Sequence, residues 1–293
     1  MPPLTIAAEI DRYLRTGDTD IDARAWPGDL FERGKRQHAD LRDALVRDVR
    51  RLASGRAHAP VPTNLGIEFT RAKVEPMVRG LLTRAEQETA LATFERSVVY
   101  VTSDTIEPIL RNHMWDRSAW DLANMYLLSV GAKLLGKKAA RIVGMSEETT
   151  CYVSPDYFVE GDLFADFIVH EAAHIFHNCK RRTVGLHETR RKEWLLDIEF
   201  TKRETFAYSC EAYARVIARA KSPTERHALA VEYGSKTRIS EESVDPAEVA
   251  SIVTEAATAR NGWKVILARC APIARPRTSC AIDRDLNANA SAG

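Results

Sequence analysis

His170, Glu171 and His174 stand in the order His-Glu-Ala-Ala-His inside a run of apolar residues. Four residues of α-helix return the chain to nearly the same face. Both imidazoles of such a helix therefore point one way, with Glu171 a step round from them. Two neutral imidazoles suit a divalent ion such as zinc, and a carboxylate close by but not bound suits a base acting on water at an open position. With 8 His in 293 residues, the pattern has a chance expectation of roughly 0.02, low enough to read it as a site. The flanks Phe167-Ile168-Val169 and Ile175-Phe176 carry no Pro, Gly or charge, so the helix should be largely buried.

This motif makes the chain resemble the zincin metallopeptidases, over residues 148–218. The resemblance implies one Zn²⁺ per chain, hydrolysis of peptide bonds in a selective protein or peptide substrate by Glu-assisted attack of zinc-bound water, and a third protein ligand. The extension found in metzincins requires Gly and His where this chain has His177 and Lys180, so that branch is excluded. His177 shares the face of the motif, but seven helical residues rise about 10.5 Å, too far for a ring to share the ion with His170. It is expected at the cleft wall or hydrogen-bonded behind a ligand.

Gluzincins take the third ligand from a later helix, which residues 191–219 predict here, with a break near Phe200-Thr201. The segment Glu204-Thr-Phe-Ala-Tyr208 is similar to the Glu-x-Phe-Ala element of gluzincin second helices, and Glu211-Ala-Tyr-Ala214 is a weaker version. The expected metal ligands are therefore His170, His174 and Glu204, with Glu211 orienting a ligand His. Glu171 is the expected base, and Tyr208 the first candidate to donate to charge developing on the carbonyl oxygen. Tyr213, His177 and His187 stand behind it. The same ligands with iron would suit a peptide-modifying oxygenase. A non-catalytic metal-binding regulatory protein is the third reading, against which an intact Glu171 argues.

The rest of the chain sets bounds. Hydrophobic residues make up 45% and charged residues 28%, with a net charge of +1, so no global charge draws the chain to nucleic acid or membrane. No apolar stretch approaches a membrane span. The N-terminus lacks a basic region followed by an apolar run, and the five widely spaced cysteines contain no Cys-x-x-Cys. Together these predict reduced thiols, Cys179 and Cys210 among them as packing groups, and a cytoplasmic location. One local excess stands out: residues 178–194 hold six Lys or Arg against two Glu. A positive loop over 180–192, between the two metal-bearing helices, would favour an acidic or nucleic-acid-associated partner.

The elements that must carry these residues predict an α+β, mostly helical chain: a zincin-like catalytic domain with a small sheet, preceded by N-terminal helices. Helices are predicted over 3–16, 28–54, 83–96, 104–137 in two pieces, 222–234 and 246–269. Strands are predicted over 97–102 and 149–154. Pro and Gly across 53–66 mark a linker, giving an N-terminal helical segment at 1–59, a catalytic domain at 60–270 and a flexible tail at 271–293. In zincins the strand before the active helix forms one wall of the cleft and pairs with extended substrate. Tyr152 to Phe158 is the stretch expected there.

Overall fold

The structure is a computed structural model and describes residues 5–272 except 64, 191, 237, 238 and 240. Helix α1 (Ile6–Thr16) starts at Thr5, whose side chain accepts the Ala8 N–H, and stops at Gly17 in the left-handed region. Asp29 caps α2 (Leu30–Ala53) in the same way through the Glu32 N–H. Two further helices, α3 (Ile67–Leu81) and α4 (Arg84–Phe94), follow. A reciprocal Thr83–Glu86 capping box opens α4. Next come β1 (Val98–Tyr100), α5 (Ile106–Asn112), α6 (Asp116–Ser129), β2 (Gly144–Glu147) and β3 (Thr150–Val153). The chain then forms α7 (Phe167–Asn178), α8 (Arg203–Arg219), α9 (Pro223–Lys236), α10 (Pro246–Thr258) and α11 (Gly262–Cys270).

The fold is mostly helical with one three-stranded sheet, as the pattern of the chain predicts. Its strand order is β1-β3-β2, with β1 parallel and β2 antiparallel to β3. Three expectations need correction. The helix predicted over 104–137 ends at Ser129, before Gly131 in the left-handed region. The helix predicted over 246–269 is two helices, because Asn261 caps a new start through the Lys264 N–H. The helix predicted over 191–219 begins only at Arg203, after a 3₁₀ turn at Phe200–Lys202.

Helix α3 was not foreseen, because Pro76 and Gly80 lie inside it. Gly80 has a specific reason: a Cβ there would collide with the Trp263 ring of α11. Residues 195–199 run irregularly because their amides bond across the molecule, Leu195 to the Cys179 carbonyl and Leu196 to that of Phe176.

Buried apolar side chains form three clusters. Tyr13, Leu41, Leu45, Leu110, Trp120 and Leu122 knit α1 and α2 to α5 and α6. The first two helices thus share a core with elements far beyond the break at 53–66. A second cluster joins α3, α4, β3, α7, α8 and α11, and a third joins α8 to α9 and α10. Helix α7 lies inside the second cluster. Ile168, Ala172, Ile175 and Phe176 are fully buried on its back, and Phe176 packs against Phe94 and Phe206 at ring separations of 4.9 and 6.4 Å. Truncating such a buried Phe costs about 3–5 kcal/mol, so the helix that carries the motif is anchored by its rear face and free to present polar groups at the front.

Among the described residues no helix is long and apolar enough to cross a membrane. The predicted tail falls at residues 273–293, outside the described residues, apart from Ala271 and Pro272.

Candidate metal centre

Asp166 starts α7. Its carboxylate accepts the Val169 N–H and is held in turn by Lys73 at 2.7 Å. One turn on, His170 and His174 stack along the front of the helix, their rings 5.1 Å apart. Helix α8 packs beside α7 and delivers Glu204 between them. Its Oε2 lies 3.6 Å from Nε2 of His170 and 3.6 Å from Nε2 of His174.

Among the described residues these three side chains are the group whose donor atoms converge, all within 4.8 Å of one another. A tetrahedral zinc site with bonds of about 2.1 Å has ligand–ligand edges of about 3.4 Å. The two 3.6 Å separations therefore suit one ion held by two nitrogens and an oxygen. The cysteines are elsewhere: Cys151, Cys179, Cys210 and Cys270 are buried as free thiols in the core.

Glu211 sits two turns beyond Glu204, and its carboxylate is used at both oxygens. Oε1 accepts the Asp166 N–H at 2.7 Å and Oε2 lies 3.0 Å from Nδ1 of His170. It therefore ties α8 to the start of α7 and fixes the His170 ring, leaving Nε2 for the cluster. Of the two glutamates weighed from sequence, the structure brings Glu204 to the imidazole tips and Glu211 to the back of one ring.

Electrostatics show what the cluster demands. Burial works against a charge on His170, yet the Glu204 and Glu211 carboxylates beside it hold its pKa at about 10. His174 is pushed down to about 3, by burial and then by the charge on His170. Glu204 is lowered against its own burial by the neighbouring imidazoles. Glu171 is pushed up to about 7, chiefly by burial, with Glu204 adding and His170 opposing. Three carboxylates thus face two imidazoles in a poorly solvated space. His170 holds a proton there in the position where a metal cation would be stabilised by the same charges.

Glu171 is not among the three converging donors and lies against β2. It packs so closely on Gly144 that a Cβ at that position would collide with its carboxylate, and Ser146 donates a hydrogen bond that favours its charged form. Sequence reasoning missed this strand and both contacts. Gly-Met-Ser-Glu has little of the β-branched or aromatic density that marks strands. The strand expected to wall the cleft, β3, is instead the central strand, flanked on both sides. The edge beside the site is β2, and Gly144, Met145 and Ser146 line the cleft. Asp166 was also missed, although an Asp immediately before an apolar helical run is an N-cap signal.

The cleft has a volume of about 1360 Å³, and it is lined by residues from both sides of the cluster along α7. Tyr208 lies in its wall, edge-on to His170 with ring centroids 4.6 Å apart. Burial, reinforced by Glu211, raises its pKa well above the usual range, so its hydroxyl keeps its proton.

The other two side chains named behind Tyr208 from outside the motif helix are not brought to the site. Tyr213 packs on Trp263 at 4.9 Å, where its hydroxyl meets the Gly262 backbone. His187 is exposed, and its carbonyl accepts from Arg181.

The basic loop likewise lies off the cleft, which none of the described residues from 180 to 192 lines. Lys180 pairs with Glu193 at 2.5 Å, Arg182 with Glu188 at 3.6 Å, and buried Arg181 with Glu86 at 2.5 Å. Compared with protein-family models, with curated proteins and with solved structures, the chain matches none.

Proposed function

We propose that this chain is a zinc-dependent metallopeptidase of the gluzincin-like zincin type, acting on a selective protein or peptide substrate. The observation that carries the reading is the division of labour among four side chains. His170, His174 and Glu204 aim donor atoms at one point, while Glu171, next to them in sequence, is not one of those donors and packs against β2 in the same cleft. A purely structural site closes its fourth position with a protein ligand and has no use for a separate carboxylate.

His170, His174 and Glu204 would hold the ion, which when bound supplies Lewis acidity to a carbonyl oxygen and makes a water more acidic. Glu171 takes a proton from the attacking water and returns it to the leaving amine as the C–N bond breaks. Tyr208 has a protonated hydroxyl in the cleft wall and is the proposed donor to charge developing on the carbonyl oxygen.

Backbone recognition comes from β2. The Ser154 N–H bonds to the Val143 carbonyl, so the paired residues Val143, Met145 and Glu147 turn their polar groups inward. Those of Gly144 and Ser146 point off the sheet edge, free to bond an extended peptide. Because the cleft continues on both sides of the ligand cluster, an internal bond of a chain fits as well as a terminal one. The acidic or nucleic-acid-associated partner expected from the 180–192 loop is not part of this reading, since Lys180, Arg181 and Arg182 are each paired with a glutamate.

The test joins metal analysis to substrate discovery. Protein prepared without chelator is expected to carry about one zinc per chain. Newly formed peptide termini are expected in cells expressing the intact protein and absent with Glu171→Gln, which keeps its fold and its metal. No stoichiometric transition metal, or identical termini with both proteins, refutes the proposal. Iron as the activating metal with a requirement for oxygen replaces it by the oxygenase reading.

A further inference from the structure

The two imidazoles of the cluster are held in different ways, and the difference assigns a role to a third. Nδ1 of His170 faces the Glu211 carboxylate at 3.0 Å. Nδ1 of His174 faces Nε2 of His177 at 2.8 Å. A ring that offers Nε2 to a metal carries its proton on Nδ1 and needs an acceptor for it. Resting on the metal-site reading above, we infer that His177 is the positioning residue for His174: its Nε2 lone pair accepts the Nδ1–H of His174 and so sets the tautomer and the plane of that ligand.

The geometry brings the two rings together. Residues three apart on a helix are neighbours on its surface, and the two rings meet edge to face, 5.0 Å apart at an angle of 87°. Both are buried, His177 being 5% exposed. His177 is not among the three converging donors, so its nitrogen is not competing for the ion.

The choice of a neutral acceptor also has a cause. Glu171, Glu204 and Glu211 already place three carboxylates around this space, and a fourth anion in the interior would add its own desolvation cost. An imidazole accepts the proton without adding charge. The consequence is an asymmetric pair. His170 is made more basic by a carboxylate behind it, and His174 is only oriented by the ring behind it. The inference requires His177 to be the Nδ1–H tautomer, with its proton on the nitrogen away from His174.

Two measurements decide it, neither of which needs a substrate. In the zinc-loaded protein, ¹H–¹⁵N correlation of the histidine side chains should show both His174 and His177 protonated at Nδ1. A His177 protonated at Nε2 overturns the inference. In the second, apo-protein is titrated with Zn²⁺ by competition and with Co²⁺ by its visible absorption. The variants are His177→Gln, whose amide oxygen accepts a proton at similar reach, and His177→Phe, which fills the space but accepts nothing. Loss of the acceptor in His177→Phe should weaken Zn²⁺ binding about 10–100-fold and shift the Co²⁺ bands. His177→Gln should stay within about threefold of the parent by restoring that acceptor.

Equal weakening by both variants would make His177 a packing residue, and parental affinity in His177→Phe would remove the role altogether. Circular dichroism verifies that each variant is folded, and the tautomer measurement on the parent decides the matter if neither is. Failure of the parent itself to bind Zn²⁺ or Co²⁺ is a different result, which refutes the metal site and not only the part played by His177.

Discussion

Two stretches of this chain are dense in ionisable groups, and they end in opposite arrangements. At the seam between α7 and α8, His170, His174 and Glu204 converge with Glu211 behind one ring, and charges of both signs press on one buried space. In the loop from 180 to 194, each of three cations finds its own carboxylate: Lys180 with Glu193, Arg181 with Glu86 and Arg182 with Glu188. The loop carries the larger charge excess in sequence, and these three of its cations are matched separately, by Glu86 of α4 and by glutamates of the loop itself. The seam is nearly balanced in sequence yet frustrated in space. Convergence, not charge density, separates the candidate metal centre from a surface where ion pairs form separately.

The sharpest way to break that contrast is to remove one converging group. Glu204→Ala deletes the carboxylate that touches both ring tips. It should lower zinc affinity by more than the about 10–100-fold expected from an outer hydrogen-bond partner such as Glu211. Glu211→Ala should fall inside that range and should also loosen the start of α7, because the Asp166 amide loses its acceptor. Zinc titration with thermal melts of both variants ranks them. Tight zinc in Glu204→Ala together with an empty site in Glu211→Ala would reverse their roles.

How much of this was legible beforehand differs residue by residue. The placement of His170, Glu171 and His174 followed from helix periodicity, a local rule that the apolar flanks reinforced. Glu204 was readable as a likeness to a helix element, but its approach to the imidazoles depends on the 24 residues that join α7 to α8, whose path is set by contacts such as Leu196 to Phe176. No local signal encodes those contacts. Strand β2 was invisible because it is short and its propensity is weak. It exists through its pairing with β3 and through Gly144, which lets the sheet edge approach Glu171. The basic loop was read correctly as charged, but its partner Glu86 lies 95 positions away, a distance at which composition is silent.

The loop side of the comparison is sharpened by pH. Glu86 is opposed by burial, but the Thr83 cap and the Arg181 guanidinium hold its pKa at about 2 instead of 4.5. A carboxylate with a depressed folded-state pKa stabilises the fold above its unfolded value and loses that contribution as pH falls toward the folded one. The melting temperature of Glu86→Gln should therefore lie below that of the parent by a constant amount from pH 7 to about 5. The gap should narrow as pH drops from about 4.5 toward 2. A gap that persists unchanged at low pH would show that shape, not charge, carries the contribution of Glu86.

The smallest effect belongs to the exposed pairs. Lys180 and Arg182 keep a third and more than two thirds of their side-chain surface in solvent, where an ion pair contributes about 0–1 kcal/mol. Neither lines the cleft. Reversing both to Glu, with buried Arg181 left in place, should shift stability by no more than about 1 kcal/mol. Substrate association should stay close to the parental rate at low and high salt alike. Ionic strength makes this a fair trial, because a charge that steers a ligand acts most strongly where the Debye length is long. If the reversed protein associates several-fold more slowly at low salt, with the difference vanishing at high salt, the loop belongs to the substrate path after all. The contrast between a convergent seam and a loop of separately paired cations would then fail at the loop. Equal rates at low salt would leave that contrast standing, with Glu86 and Arg181 as the part of the loop that matters to the fold.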